Sequence, residues 1–364
     1  MNFNIKQFFI SISFLLDFIE IDILDKITNH GKRVAYIATK IGENYNLSNK
    51  ELFTLMGFAI LHDIGGVKNK EKVSKTELEK IKDHCIIGEN TIQKFPIFKD
   101  YDNIILYHHE NYNGSGFFSK SGEAIPLFSQ IISLADFFEL NYKPNISKRE
   151  LIEKIINEKN VKFSPKLIDI LCSITENKAF WLNLQDEFIL KAIINETPDY
   201  YEDYSYRELE NLTGIFSEIT DSKSLYTKNH SSKLSKKINI MCGHYNFGID
   251  KKYKLMTAAN LHDIGKLAIS NDILDKPGKL SYEEYEVIKT HSFYTRKVLE
   301  PIDNFKDIKE WASNHHEKND GSGYPYGYSK EELDFPSQIM AALDIYQALI
   351  ESRPYREAYN HKDA

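Results

Sequence analysis

The sequence predicts an all-α protein made of two tandem helical domains. Three observations carry that expectation. Helix-start signals recur along the whole chain, alternating apolar–polar stretches bounded by hairpin turns are scarce, and the hexapeptide LHDIGG at Leu61–Gly66 returns as LHDIGK at Leu261–Lys266. At 364 residues there is material for two cores of ordinary size.

Taken in order, FFISISFLLDFI (Phe8–Ile19) reads as an amphipathic first helix. Asp17, Glu20 and Asp22 interrupt its apolar character, so neither a signal peptide nor a membrane span is expected. Val34, Ala35, Ile37, Ala38 and Ile41 lay an apolar stripe at helical spacing. Ser-x-x-Glu capping boxes at Ser48/Glu51, Ser74/Glu77, Ser147/Glu150, Ser281/Glu284 and Ser329/Glu332 predict further helix starts. Ser164 followed by Pro165 predicts another, with proline at the first helical position. The polar, tyrosine-rich stretch Glu196–Tyr206, with Pro198, reads as the junction between a first domain over 1–200 and a second over 201–364.

A hydrophobic content of 42%, with 27% charged residues, is that of a soluble globular chain. The formal charge of −7 gives no general attraction for a nucleic-acid polymer or an anionic membrane. A phosphate-bearing ligand must then be held by local positive charge. Cys85, Cys172 and Cys242 form no CxxC pair, which suggests neither a disulfide frame nor a thiolate metal site, and a reducing cytoplasm is the expected compartment.

Ten of the 12 histidines fall into two matching sets. His30, His62, His84, His108 and His109 form the first; His230, His262, His291, His315 and His316 form the second. The step of 32 residues from His30 to His62 equals that from His230 to His262, and the step of 24 from His84 to His108 equals that from His291 to His315. Each set has an aspartate after its second histidine (Asp63, Asp263) and another in a later apolar run (Asp136, Asp344). Such spacing marks a duplicated domain. Imidazole and carboxylate together suit iron, manganese or zinc. Five histidines and two aspartates exceed what one tetrahedral ion needs and fit two ions sharing a carboxylate. His244 and His361 lie outside the pattern.

The second set is accompanied by ILDKPGKLS (Ile273–Ser281), HHEKNDGSGYP (His315–Pro325) and DIYQALIESRPYR (Asp344–Arg356). From about Leu225 to Arg356 the chain resembles the HD-GYP subgroup of the HD superfamily, all-helical metal-dependent phosphohydrolases. The first half, from about Phe14 to Glu139, resembles a divergent HD domain of the same lineage. The resemblance implies a cytoplasmic phosphodiesterase that hydrolyses cyclic di-GMP to pGpG and onward to GMP, with two divalent ions, iron or manganese, as cofactors. It implies that Asp263 bridges the ions, that His230, His262 and Asp344 complete one shell, and that His291, His315 and His316 complete the other. Lys266 and Arg353 would meet substrate phosphate, and the loop Gly321, Ser322, Gly323, Tyr324 and Pro325 would shape the pocket. Glu317 would orient a ligand from behind.

The position of a third-metal glutamate in some members holds Tyr226, which favours two ions. Gln347 replaces an aspartate that is not a ligand. Family domains continue beyond the RPYR segment, so the second domain is expected to be C-terminally truncated. In the first domain Gly66 stands at the position of Lys266, NGSGFF (Asn113–Phe118) replaces DGSGYP, and the KPGKL loop has no counterpart. A regulatory, dimerising or structural metal-binding role is expected there, on His30, His62, Asp63, His84, His108, His109 and Asp136. Expected partners are a cyclic dinucleotide and a second copy of the chain. The alternatives are another cyclic dinucleotide such as cyclic GMP-AMP as substrate, or a non-catalytic nucleotide-sensing module.

Overall fold

The computed structural model describes residues 2–24, 29–68, 77–143, 146–224, 229–351 and 357–364. Among them, helices carry almost all regular structure, and they cluster into two units.

The first unit runs from Ile5 to Tyr200. Its helices are α1 (Ile5–Leu24), α2 (His30–Asn44), α3 (Asn49–Ile60), α4 (Glu77–Ile92), α5 (Leu127–Asn141), α6 (Lys148–Ile156), α7 (Pro165–Thr175), α8 (Lys178–Asn183) and α9 (Ile189–Glu196). Helix α2 is central, packing on α3, α5, α7 and α9, and the stripe Val34, Ala35, Ile37, Ala38 and Ile41 is fully buried. An aromatic cluster fills the space beside α3: Phe98 lies 5.7 Å from Phe9 and 4.3 Å from Phe58, ring centre to ring centre. Such pairs add attraction beyond their buried area.

The second unit comprises residues 201–364 together with Met1–Asn4. Its helices are α10 (Tyr206–Lys223), α11 (His230–His244), α12 (Ile249–Leu261), α13 (Asn271–Leu274), α14 (Tyr282–Leu299), α15 (Lys306–Ser313) and α16 (Phe335–Leu349). Helix α12 packs on α10, α11 and α15, and α16 on α11 and α15. A short antiparallel pair, β1 (Asn2–Asn4) with β2 (Tyr201–Asp203), explains why the first residues leave the half to which the sequence assigned them. Phe3 is buried there, stacked on Phe305 at 5.6 Å and edge-on to Tyr204 at 5.7 Å.

Local signals act as their chemistry dictates. Ser48, Ser147 and Ser281 each accept from the backbone N–H three residues on, and the glutamate there returns the bond. A fourth box, Ser205/Glu208, caps α10 and escaped the sequence reading. Ser329/Glu332 forms only half of such a box, the Ser329 N–H and hydroxyl donating to Glu332 Oε2, and closes a turn, while Asp334 caps α16, which has Pro336 in its first turn. Ser74 and Tyr226 lie outside the described residues. The duplication extends to the backbone: Asn29 and Asn229, then Asn46 and Asn246, adopt positive φ at matching places.

Candidate metal centres

In the second unit the ligand-type side chains come from five helices or their ends. His262 and Asp263 follow the end of α12, and His230 opens α11. His291 lies within α14, Asp344 within α16, and His315 and His316 just after α15. Gly265 fixes the approach of α14: a Cβ there would sit 1.9 Å from the His291 carbonyl oxygen. Thr295 locks the contact, accepting from Gly265 N–H at 3.1 Å and donating to the His262 carbonyl at 2.8 Å.

The two oxygens of Asp263 face different histidines. Oδ2 is 3.3 Å from His262 Nε2, while Oδ1 is 3.5 Å from His291 Nε2 and 3.8 Å from His315 Nε2. Asp344 Oδ1 is 3.0 Å from His230 Nε2 and 3.7 Å from His262 Nε2. His316 Nδ1 is 4.0 Å from Asp344 Oδ2. The first unit repeats the division. Asp63 Oδ2 is 3.4 Å from His62 Nε2, Asp63 Oδ1 is 3.5 Å from His84 Nε2, and Asp136 Oδ1 is 3.3 Å from His30 Nε2.

These residues fit metal ions. Two nitrogens bound to one tetrahedral ion at about 2.0–2.1 Å lie roughly 3.3–3.4 Å apart. The facing Nε2 atoms of His30 and His62, of His84 and His108, and of His291 and His315 are separated by 3.4, 3.3 and 3.1 Å. His262 Nε2 and Asp263 Oδ1 are buried without a hydrogen-bond partner, an arrangement that costs stability unless an ion completes it. Carbonyls hold the other ring nitrogens: Nδ1–H of His262, His291 and His315 donates to Ala259, Ile288 and Ala312 at 2.8, 2.6 and 2.6 Å. That fixes the tautomer and leaves each Nε2 lone pair facing the centre.

Burial pushes His291 down to about 3, His316 down to about 4 and His315 well below its ordinary value, so these imidazoles are neutral, as metal ligands must be. In the first unit burial likewise depresses His108, and His109 to about 4. On His262 burial opposes charge, but Asp263 and Asp344 outweigh it and lift the imidazole to about 10. Both carboxylates are held far below their usual range against the burial penalty.

Lys266 Nζ stands 2.5 Å from Asp263 Oδ2. Beside the centre is a cavity of about 370 Å³ whose lining includes Tyr285, Lys289, His316, Gly323 and Tyr324. The Tyr324 ring lies 4.7 Å from that of His316. Gly321 and Pro325 shape the loop without lining the cavity, and Arg353 lies outside the described residues. Gly323 is needed because a Cβ would come within 2.5 Å of Glu317 Cα. Glu317 differs from expectation: it orients no ligand but accepts from the backbone N–H of Tyr326 at 2.7 Å and Tyr328 at 3.0 Å, pinning the loop.

Two contributors were missed. Glu351 accepts from His230 Nδ1–H at 2.8 Å, and Glu139 takes the same part for His30 in the first unit. The matched spacing from Asp344 and Asp136 offered no signal, since Glu139 follows by three residues and Glu351 by seven. Cys85 is buried beside His84, its Sγ 3.9 Å from His84 Nε2.

The HD domain pattern matches this chain twice, over residues 19–167 and 215–364. A 3′3′-cGAMP-specific phosphodiesterase 1 of Vibrio cholerae is 27% identical over 372 residues, covering 98% of this chain and 85% of that protein. A cyclic di-GMP phosphodiesterase of Thermotoga maritima is 32% identical over 174 residues, 46% of this chain and 45% of that protein. The crystal structure of a cyclic GMP-AMP-specific phosphodiesterase of Vibrio cholerae, V-cGAP3, superposes with a TM-score of 0.69 at 27% identity, covering 100% of this chain and 92% of that one. The repeated ligand geometry and the repeated match have one explanation: the chain belongs to the HD-domain family, of the HD-GYP type, with two HD domains in tandem.

Proposed function

We propose that the second unit is a metal-dependent phosphodiesterase acting on a cyclic dinucleotide, with 3′3′-cyclic GMP-AMP as its first substrate to test. The observation that carries this reading is the division of Asp263 between two histidine groups, beside a cavity and a lysine. The relative that spans nearly the whole chain is named for cyclic GMP-AMP. Cyclic di-GMP is the second reading, favoured by the Thermotoga maritima relative.

His230, His262 and Asp344 would hold one ion, His291, His315 and His316 another, with Asp263 shared; iron or manganese suits these nitrogen and oxygen donors. Bound metal supplies Lewis acidity and a water of lowered pKa for in-line attack at phosphorus. Lys266 places a positive charge where negative charge grows on the phosphoryl oxygens. Tyr324 and Tyr285 offer rings on which a base can stack, with Lys289 4.9 Å from the Tyr285 ring and 5.8 Å from that of Tyr324. Hydrolysis of one phosphodiester bond opens the ring to a linear dinucleotide.

The first unit is proposed to bind metal without comparable turnover. Gly66 leaves open space where Lys266 stands in the second unit, and Phe117 replaces Tyr324 on a loop still pinned by its own glutamate, Glu110. The test is anaerobic purification of the full chain, metal analysis, and chromatography of products from each cyclic dinucleotide. His262→Ala with Asp263→Ala should abolish turnover, whereas His62→Ala with Asp63→Ala should leave substantial activity in folded protein. A folded, iron- or manganese-loaded wild type that cleaves neither substrate would overturn the reading, and loss of turnover in the second pair would reverse the division of roles.

A further inference from the structure

The first unit carries a cavity that none of its candidate metal ligands lines. About 250 Å³ opens between the end of α2, the start of α5 and the start of α7, with Tyr45, Tyr112, Glu123, Gln130, Ser164 and Lys166 in its wall. Helix α7 begins there without a cap. Ser164 holds the N-cap position, where a hydroxyl ordinarily accepts from the backbone N–H two or three residues on. Its side chain makes no such bond, and Pro165 has no N–H. The N–H groups of Lys166 and Leu167 therefore find no acceptor among the described residues. Ser164 is 8% exposed and Leu167 1%, and a buried donor left open costs about as much as a lost hydrogen bond unless something in the cavity accepts from it. Positive charge is at hand: Lys166 is exposed, with its Nζ 3.6 Å from the centre of the Tyr45 ring.

We propose that this cavity binds a phosphate group, free or at the end of a nucleotide. The N–H groups of Lys166 and Leu167, the Ser164 hydroxyl and the Lys166 ammonium would donate to its oxygens. Helix N-termini suit anions because their open amides point outward and the dipole favours negative charge. The acceptors in the wall suit the rest of a nucleotide rather than its phosphate. Gln130 uses its amide N–H on the Ile125 carbonyl at 2.8 Å, which leaves Oε1 to accept from a hydroxyl or amine, as does the exposed Glu123 carboxylate. Occupancy would clamp α7 against α2 and α5, the helices that also carry His30 and Asp136. This inference does not depend on the catalytic reading of the second unit.

Radiolabelled inorganic phosphate is the probe. The full chain is stripped with chelator, so that no bound metal takes up phosphate, checked for fold by circular dichroism and studied by equilibrium dialysis. Wild type should bind the label. Ser164→Asp should abolish binding, because the new carboxylate caps the two amides itself and repels the anion. That change improves the cap, so Tm should hold or rise, and the loss cannot come from a weakened helix. Lys166→Glu should also lose binding and Lys166→Arg keep it. Lys191→Glu, the same charge change at an exposed position of α9, should bind as wild type does. If the stripped chain does not stay folded, the metal-loaded chain is dialysed instead, and Ser164→Asp must lower bound phosphate without lowering metal. Displacement by GMP at a lower concentration than by unlabelled phosphate makes the ligand a nucleotide; the reverse order makes it free phosphate. No bound label in folded wild type, binding that survives Ser164→Asp, or an equal loss in Lys191→Glu would overturn the proposal.

Discussion

Glu351 Oε2 lies 2.8 Å from His230 Nδ1, so the carboxylate grips the face of the imidazole opposite the metal centre. His230 holds Glu351 down to about 2 against its burial penalty, and Gln347 tightens the arrangement by donating to Glu351 Oε1 at 2.6 Å. A carboxylate behind a ligating histidine raises its basicity and fixes its ring. Glu351→Gln should weaken metal affinity of the second unit by about 10–100-fold while the protein stays folded. Competition with a coloured chelator measures it; unchanged affinity would remove Glu351 from the metal's support.

Lys266→Ala should behave in the opposite way. Its ammonium meets Asp263 but brings no lone pair, so metal content should hold while kcat falls about 10²–10³-fold. Metal analysis and steady-state kinetics on one preparation separate the two effects. Equal losses of metal and activity would make Lys266 a structural residue.

Gly265→Ala tests the approach of α14. The new Cβ would strike backbone at His291, 1.9 Å away, and Thr295 N, 2.8 Å away, which no rotamer change relieves. Overpacking of this kind costs about 1–3 kcal/mol or more, and it should displace His291 from its ion. Gly243→Ala, which meets nothing within 4 Å, should be neutral or stabilising by about 0.4–1 kcal/mol. Thermal melts of both variants, with metal content, decide it.

His262 gives the chelated protein a definite pH response. Its folded value of about 10 lies above the ordinary 6.5, so the folded state binds the proton more tightly than the unfolded chain. The resulting stabilisation is fully present below about pH 6.5 and is lost as pH rises toward 10. Metal-free wild type should therefore lose more Tm over that window than metal-free His262→Ala. Metal affinity should rise over the same range, because the proton has to leave. Parallel slopes for the two metal-free proteins would contradict this.

What the sequence disclosed follows how local each interaction is. Ser48/Glu51 caps α3 through atoms three residues apart, so the signal and its partner are read together. The candidate ligands were legible as a set because each occurs twice at matched spacing. Glu351 was not, since its partner His230 lies 121 residues away and the first unit solves the same problem with Glu139. Glu317 misleads because its neighbours in sequence are candidate metal ligands, whereas its partners are loop amides nine and eleven residues on. Cys85 carries no motif, and of the histidines around it only His84 is adjacent in sequence.

The pairing of β1 with β2 gives the molecule an unusual topology. The chain leaves the second unit at Asn4 and re-enters it at Tyr201, and these two residues are cross-strand partners. The first unit is therefore an insertion in the sequence of the second, which is discontinuous along the chain. A fragment beginning at Tyr201 would present β2 as a bare edge and leave Phe305 without the ring that covers it, so the smallest self-contained form of the second domain includes the chain's first four residues.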